Sequence, residues 1–292
     1  MFKLWIEAAR PKTLSAAFAP VLMATILAYS EGVFHLWSAI AALFGAFFIQ
    51  IGTNFANDYF DYKKGGDTSE RIGPQRLTHR GLVTPNAMKK AMLLSFALAF
   101  IIGIYLVSRG GWPIVFLGLS SLLLGVIYTG GPFPLAYHGL GDIFAFLFFG
   151  PIATWGTYYV QALEHSNLAL AFGAAQGLFS VALLSINNLR DIDEDRKTGK
   201  NTLIARFGAT FGETEYLASI SLALVSPLLF LLIFQHDHYV SLIGMLTFFL
   251  FVMPIKRILS YSDSRELLEV LPMTARIQLV FTLLFSLGWL IT

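Results

Sequence analysis

The stretches "LSAAFAPVLMATILAY" at 14–29 and "WPIVFLGLSSLLLGVIY" at 112–128 contain no charged residue, and seven further runs in the chain are built in much the same way. A bilayer's hydrocarbon core, about 30 Å thick, asks roughly 17–25 apolar residues of a spanning helix. Inside lipid every backbone N–H and C=O must be bonded within the protein, which selects helices over open strands. The runs predict nine transmembrane helices at about 14–29, 34–56, 91–107, 112–129, 141–163, 167–187, 214–234, 238–255 and 275–291. Soluble chains carry about a quarter charged residues, whereas here 13% are charged and 56% are hydrophobic. The expected fold class is all-α, a polytopic membrane protein, with 1–292 as a single domain. Two helix starts are signalled: Thr84 before Pro85 reads as an N-cap, and Thr210 with Glu213 has capping-box spacing.

The charges are unevenly placed. On the nine-span reading, nineteen of the twenty lysines and arginines share one side, and only Arg109 lies opposite. That bias makes the crowded side cytoplasmic and the C-terminus external, in a cytoplasmic (inner) membrane. The long connections at about 57–90 and 188–213 lie on the crowded side, so function is expected there. With no cysteine, disulfides and thiolate chemistry are excluded. A net charge of +2 gives no reason to expect nucleic acid, and no obligate protein partner is evident. No Walker, dinucleotide-glycine or nucleophile-elbow pattern is present.

Two acidic stretches on that face match each other. The first, "NFANDYFDYKKGGD", offers Asn54, Asn57, Asp58, Asp61 and Asp67. The second, "NNLRDIDEDRKTGKNT", offers Asn187, Asn188, Arg190, Asp191 and Asp195. Asn54 precedes Asp58 by four residues as Asn187 precedes Asp191, and the offset is 133 residues in both cases. Each stretch ends a span, the second and the sixth, which predicts two four-helix pseudo-repeats with Asp-rich cytoplasmic loops. Asp58 and Asp61, three apart, share a face on a continuing helix, as do Asp191 and Asp195, four apart. Carboxylates that close at a membrane boundary need a neutralising partner. Magnesium suits them, because it takes one or two carboxylates, keeps waters and completes its shell with substrate phosphates. Arg10, Lys12, Arg76, Arg190 and Lys200 offer charge to the same phosphates. Asp193 and Glu194 read as solvated neighbours, and "HDH" at 236–238 reads as a solvated outer turn. A magnesium diphosphate held at an interface suggests a substrate with an apolar tail, such as an isoprenoid diphosphate lying partly in the lipid bilayer.

The motifs resemble those of the UbiA superfamily of intramembrane aromatic prenyltransferases, and the resemblance covers nearly the whole chain. The family's first motif maps to Asn57, Asp58 and Asp61, but Gly65 stands where its third aspartate is usual, and Asp67 follows two residues later. The second motif maps to Asp191 and Asp195. "NDYFDYKKGGDT", "IGPQRLTHRGLVTP", "YTGGPFPLAYHGLGD", "NNLRDIDEDRKTGKNTL" and "WIEAARPKTLSAAFAPV" look like one branch, the 1,4-dihydroxy-2-naphthoate polyprenyltransferases of menaquinone synthesis. The resemblance implies magnesium as cofactor and a polyprenyl diphosphate and an aromatic acid as substrates. It also implies prenyl transfer with decarboxylation to demethylmenaquinol. Catalytic roles are then expected for Asp58, Asp61, Asp67, Asp191 and Asp195, all but Asp67 also as metal ligands. Substrate binding is expected of Asn54, Asn57, Asn187, Asn188, Arg190, Lys200, Arg76, Arg10, Lys12 and Tyr128, the last opening a tight aromatic-binding loop. The alternatives are a related enzyme acting on 4-hydroxybenzoate, homogentisate or a phospholipid head group, and a secondary transporter. Against transport, the carboxylates cluster at one interface, and Asp142 stands near the start of the fifth span rather than at the midplane.

Overall fold

The apolar runs form helices, and the connections between them place the polar residues. The computed structural model describes residues 2–65, 72–73 and 76–291, and among these there is no strand. Helix α1 (Phe2–Ala9) stops at Arg10, whose φ of 51° turns the chain into a short 3-10 turn at Pro11–Thr13. Helix α2 (Leu14–Ser30) follows. Helix α3 (Leu36–Lys64) continues well past residue 56 and carries Asp58 and Asp61 on its last two turns before Gly65 ends it in the left-handed region. Helix α4 (Pro85–Gly110) starts as expected, with the Thr84 hydroxyl accepting from the Ala87 N–H at 3.3 Å and proline in the first turn. Helix α5 (Trp112–Ile127) leads into the segment holding "YTGGPFPLAYHGLGD". The fifth expected span is two helices, α6 (Gly141–Phe148) and α7 (Pro151–Ala162). Next come α8 (Asn167–Arg190), the short α9 (Ile192–Lys197) and α10 (Leu203–Phe207), and α11 (Ala209–Phe234). A 3-10 stretch at Tyr239–Thr247 precedes α12 (Phe248–Ser260), and α13 (Leu267–Ile291) closes the bundle.

Eight segments among the described residues are long and apolar enough to cross a membrane. The run at Trp112–Ile127 falls short of that length; its sixteen residues rise about 24 Å at 1.5 Å per residue. Two further expectations are corrected. Helix α11 begins at Ala209 behind Gly208, whose φ of 94° suits glycine, so Thr210 lies inside the first turn and caps nothing. A capping box does form, at Asp263 and Glu266. The eighth run is helical in the α sense only from Phe248. Its first part packs against α13 so tightly that a Cβ on Gly288 would lie 2.4 Å from the Val240 carbonyl oxygen.

Helix α8 is the most enclosed element, with Phe172, Phe179 and Ile186 fully buried. At its centre Gln278 donates to Gln176 at 3.0 Å and Gln176 donates to Thr282 at 3.1 Å, an interhelical polar contact of the kind that holds membrane helices together. The α6–α7 break rests directly on α8. A Cβ on Gly150 would sit 2.6 Å from the Gly173 oxygen, and one on Gly177 2.4 Å from the Phe146 oxygen. This close approach fixes α6 against the stretch of α8 that ends in Asn187, Asn188 and Arg190. Gly177→Val is expected to lower the midpoint of thermal unfolding by roughly 5 °C or more in detergent, through overpacking against a backbone that cannot give. An unchanged midpoint would mean the helices separate more easily than this contact implies.

Candidate active site

Helices α2 to α8 enclose a cavity of about 1120 Å3. One end is lined by Asp58, Asp61, Arg76, Asn188, Asp191 and Lys200; the rest is apolar, walled by residues such as Ala46, Phe100, Ile104, Val107 and Leu117. The polar end therefore suits a multiply charged head, and the remainder suits hydrocarbon.

The first cluster belongs to α3 and is held by the segment after it. Asp58 Oδ2 accepts from the Leu77 N–H at 3.1 Å, and Oδ1 accepts from the Thr78 N–H at 3.3 Å and from the Thr78 hydroxyl. Asp61 pairs with the Arg76 guanidinium, both side chains being about 5% exposed, and also accepts from the Tyr137 hydroxyl at 3.1 Å. Asn57 accepts from the Thr129 hydroxyl at 2.9 Å. Asn54, one turn earlier, points its amide at the α1–α2 break, donating to the Ala9 carbonyl at 2.9 Å and the Thr13 hydroxyl at 3.1 Å. That clamp sets Arg10 and Lys12 against the same cavity. Asn54→Ala is expected to destabilise the protein by about 1–3 kcal/mol, because two hydrogen bonds are removed and the Ala9 carbonyl is left without this donor. Denaturation in detergent would measure it, and a neutral result would contradict the clamp. Asp67 lies outside the described residues.

The second cluster sits at the end of α8. Asp191 takes a bidentate contact from Arg190, with Nε and Nη2 each 2.7 Å from a carboxylate oxygen. Asp195, in α9, accepts from Lys200 Nζ at 3.2 Å. It is buried, but unlike Asp58, Asp61 and Asp191 it does not line the cavity. Asn187 donates to the Leu183 carbonyl one turn back at 3.1 Å, and with Asn188 it lines the cavity. Asp193 is exposed.

The segment between α5 and α6 joins the clusters. Tyr128 lines the cavity, Lys64 donates to the Thr129 carbonyl at 2.7 Å, and the Tyr137 carbonyl accepts from the Asn201 N–H at 3.2 Å. A Cβ on Gly73 would lie 2.7 Å from Arg190 Nη2, so the segment after α3 touches the end of α8 directly. Tyr137, Thr78 and Thr129 are functional candidates that sequence reasoning missed. Their partners lie 76, 20 and 72 residues away, and no local spacing announces such a contact.

Among the described residues no three His, Cys, Asp or Glu side chains form a ready-made metal group. Magnesium does not require one, since it is commonly held by one or two carboxylates together with waters and substrate phosphates. Asp58, Asp61 and Asp191 are buried oxygen donors lining the polar end, beside Asn57, Asn187 and Asn188. This donor set fits magnesium.

The sequence matches the UbiA prenyltransferase family over residues 17–288. It is 36% identical over 290 residues to the 1,4-dihydroxy-2-naphthoate octaprenyltransferase of Escherichia coli, covering 97% of this chain and 94% of that one. It is also 36% identical to the Mycobacterium tuberculosis protein of the same name, over 97% of this chain and 95% of that one. Among solved structures, a UbiA homolog from Archaeoglobus fulgidus bound to DMAPP and Mg2+ superposes with a TM-score of 0.67 at 12% identity, covering 99% of each chain. The apo structure of a UbiA homolog from Aeropyrum pernix gives 0.66 at 17% identity, covering 92% of this chain and 96% of that one.

Proposed function

The chain belongs to the UbiA prenyltransferase family, and from that premise we propose that it transfers a polyprenyl group from a polyprenyl diphosphate to 1,4-dihydroxy-2-naphthoate, releasing carbon dioxide and giving demethylmenaquinol. The observation that carries the reading is the two-part cavity, charged at one end and hydrocarbon along the rest. The relatives' shared name narrows the acceptor.

The chain's own residues have separable tasks. Arg76, Arg190 and Lys200 hold the leaving diphosphate, with Arg10 and Lys12 closing over it. Asp58, Asp61, Asp191 and Asp195 would hold magnesium, assisted by Asn57, Asn187 and Asn188, with Asp67 as the displaced third member of the first motif acting beside them. When bound, magnesium neutralises charge developing on the departing diphosphate. The apolar wall keeps water from the allylic centre, where water would compete with the aromatic ring. Tyr128 presents an aromatic face beside that centre.

The protein is an integral multi-pass membrane protein. We read it as nine crossings in the cytoplasmic membrane, with the polar end of the cavity facing the cytoplasm. Trp112–Ile127 counts as a crossing because its ends meet opposite ends of its neighbours: Arg109, just before it, donates to the Val160 and Gln161 carbonyls at the end of α7, whereas Thr129, just after it, meets Lys64 at the end of α3. We read the two halves as pseudo-repeats, a reading supported by the correspondence of α3 with α8 plus α9 at the 133-residue offset seen in the motifs. Reporter fusions at residues 75 and 200 are expected to stay cytoplasmic and one in the 235–238 loop to be exported. Export of either of the first two would overturn the orientation.

Purified protein given magnesium and a polyprenyl diphosphate tests the acceptor. Prenylated, decarboxylated product is expected from dihydroxynaphthoate. Product from 4-hydroxybenzoate or homogentisate instead would reject this acceptor while keeping the prenyltransferase.

A further inference from the structure

Asp142 has no role in the account so far. It sits in the first turn of α6, is 6% exposed and lines the cavity. The other buried carboxylates of that lining, Asp58, Asp61 and Asp191, each accept hydrogen bonds from named donors. Asp142 Oδ1 accepts none from the described residues. A buried carboxylate oxygen without a donor is costly to maintain, and in a native site it asks what the oxygen is for. The surroundings narrow the answer. Tyr128 lies alongside, since a Cβ on Gly141 would be 3.0 Å from the Tyr128 hydroxyl oxygen, and Lys200 lines the same space. A diphosphate is an anion and would be repelled by Asp142, and a prenyl tail has no donor to give it. The aromatic acceptor carries hydroxyl groups.

Resting on the proposed function, we infer that Asp142 binds the hydroxyl of the aromatic acceptor next to the reacting carbon and takes its proton as the new bond forms. The electron pair of the breaking allylic C–O bond leaves with the diphosphate. The ring carbon that bears the carboxylate supplies the pair for the new C–C bond, and the proton of the adjacent hydroxyl passes to Asp142, leaving a ring carbonyl. Loss of carbon dioxide returns its bonding pair to the ring, and Asp142 gives the proton back to the oxygen. No net proton is consumed, so the carboxylate is regenerated in each turnover.

The test uses full-length protein in detergent, with kinetics on both substrates. Asp142→Asn keeps the shape and is expected to lower kcat/KM for dihydroxynaphthoate by about 100-fold or more. The Kd for an unreactive thio analogue of the prenyl diphosphate and the magnesium half-saturation should each move less than about threefold. A Kd or magnesium shift matching the loss of turnover would instead make Asp142 part of the diphosphate site and overturn the inference. Binding supplies a readout that a merely structural residue would not move. As competitive inhibitors of the wild type, 1-hydroxy-2-naphthoate should bind at least about tenfold tighter than 2-naphthoate, and Asp142→Asn should erase that preference. If Asp142→Asn does not fold, the wild-type preference alone decides: a ratio under about threefold rejects the contact. Asp142→Glu, which keeps the carboxylate, should retain the preference, and its loss there would count against a direct bond. Failure of the proposed function looks different, because the wild type itself would then not turn over dihydroxynaphthoate.

Discussion

Asp61→Asn and Asp191→Asn are each expected to lower turnover by about a thousandfold, the scale associated with losing a group that stabilises transition-state charge. Each substitution keeps the side chain's volume and removes its charge. The structure adds a complication. Asp61 pairs with buried Arg76, and Asp191 with buried Arg190. Removing one charge from a buried ion pair destabilises by about 3–5 kcal/mol, so lost activity in a single variant confounds chemistry with folding. Asp61→Asn combined with Arg76→Gln removes the ion pair whole and so isolates the folding part, and since Arg76 also holds diphosphate, the informative outcome for Asp61 is a return of activity. The double variant should recover most of the thermal stability and none of the activity. Recovery of activity together with stability would assign Asp61 a structural role only. The exposed Asp193 provides the control: Asp193→Asn, and likewise Glu194→Gln, should change turnover less than about threefold. Asp67→Asn is expected to fall with the severe set, because it takes the displaced third position of the first motif.

Chelating divalent cations is expected to reduce turnover about a thousandfold or more, with full recovery on adding magnesium. The same treatment should leave the thermal midpoint within about 2 °C, a shift corresponding to less than roughly 1 kcal/mol. The reason lies in the pairing of the carboxylates. Asp58 already accepts two backbone N–H groups and a hydroxyl, and Asp61, Asp191 and Asp195 already face Arg76, Arg190 and Lys200. Protein cations and donors hold these acids in place, so the fold does not depend on the metal for neutralisation. Magnesium-independent turnover would refute the metal assignment, and unfolding on chelation would make the metal a structural element.

Much of this arrangement was legible in the residues. The apolar runs announced the helices because lipid leaves the backbone no alternative, and the Asn-anchored spacing marked the ends of α3 and α8. The third expected span also started where Thr84 and Pro85 placed it, since a cap is a local device. What stayed hidden depends on tertiary packing. Hydropathy could not foresee the α6–α7 break, which is set by backbone contact with Gly173 and Gly177 on another helix. The 3-10 conformation of Tyr239–Thr247 follows from close packing on α13 rather than from its own apolar sequence. Asn54 reads by spacing as the partner of Asn187, yet its amide holds the α1–α2 break while Asn187 bonds its own helix. Identical spacing therefore did not produce identical contacts. Tyr137, rather than the more obvious Tyr128, reaches Asp61, and only the folded path of the 128–142 segment reveals it. Asp142 was visible as an acid inside an apolar run, but its lack of a donor is a property of the packed cavity.

The most direct test of the central claim follows two products at once. Purified protein is incubated with magnesium, a polyprenyl diphosphate and dihydroxynaphthoate labelled in its carboxyl carbon. Labelled carbon dioxide and diphosphate should appear together in a ratio of about one, with both lost in Asp61→Asn and Asp191→Asn, as a single site that neutralises the leaving group requires. Diphosphate release with the label retained on a prenylated aromatic product would contradict the account.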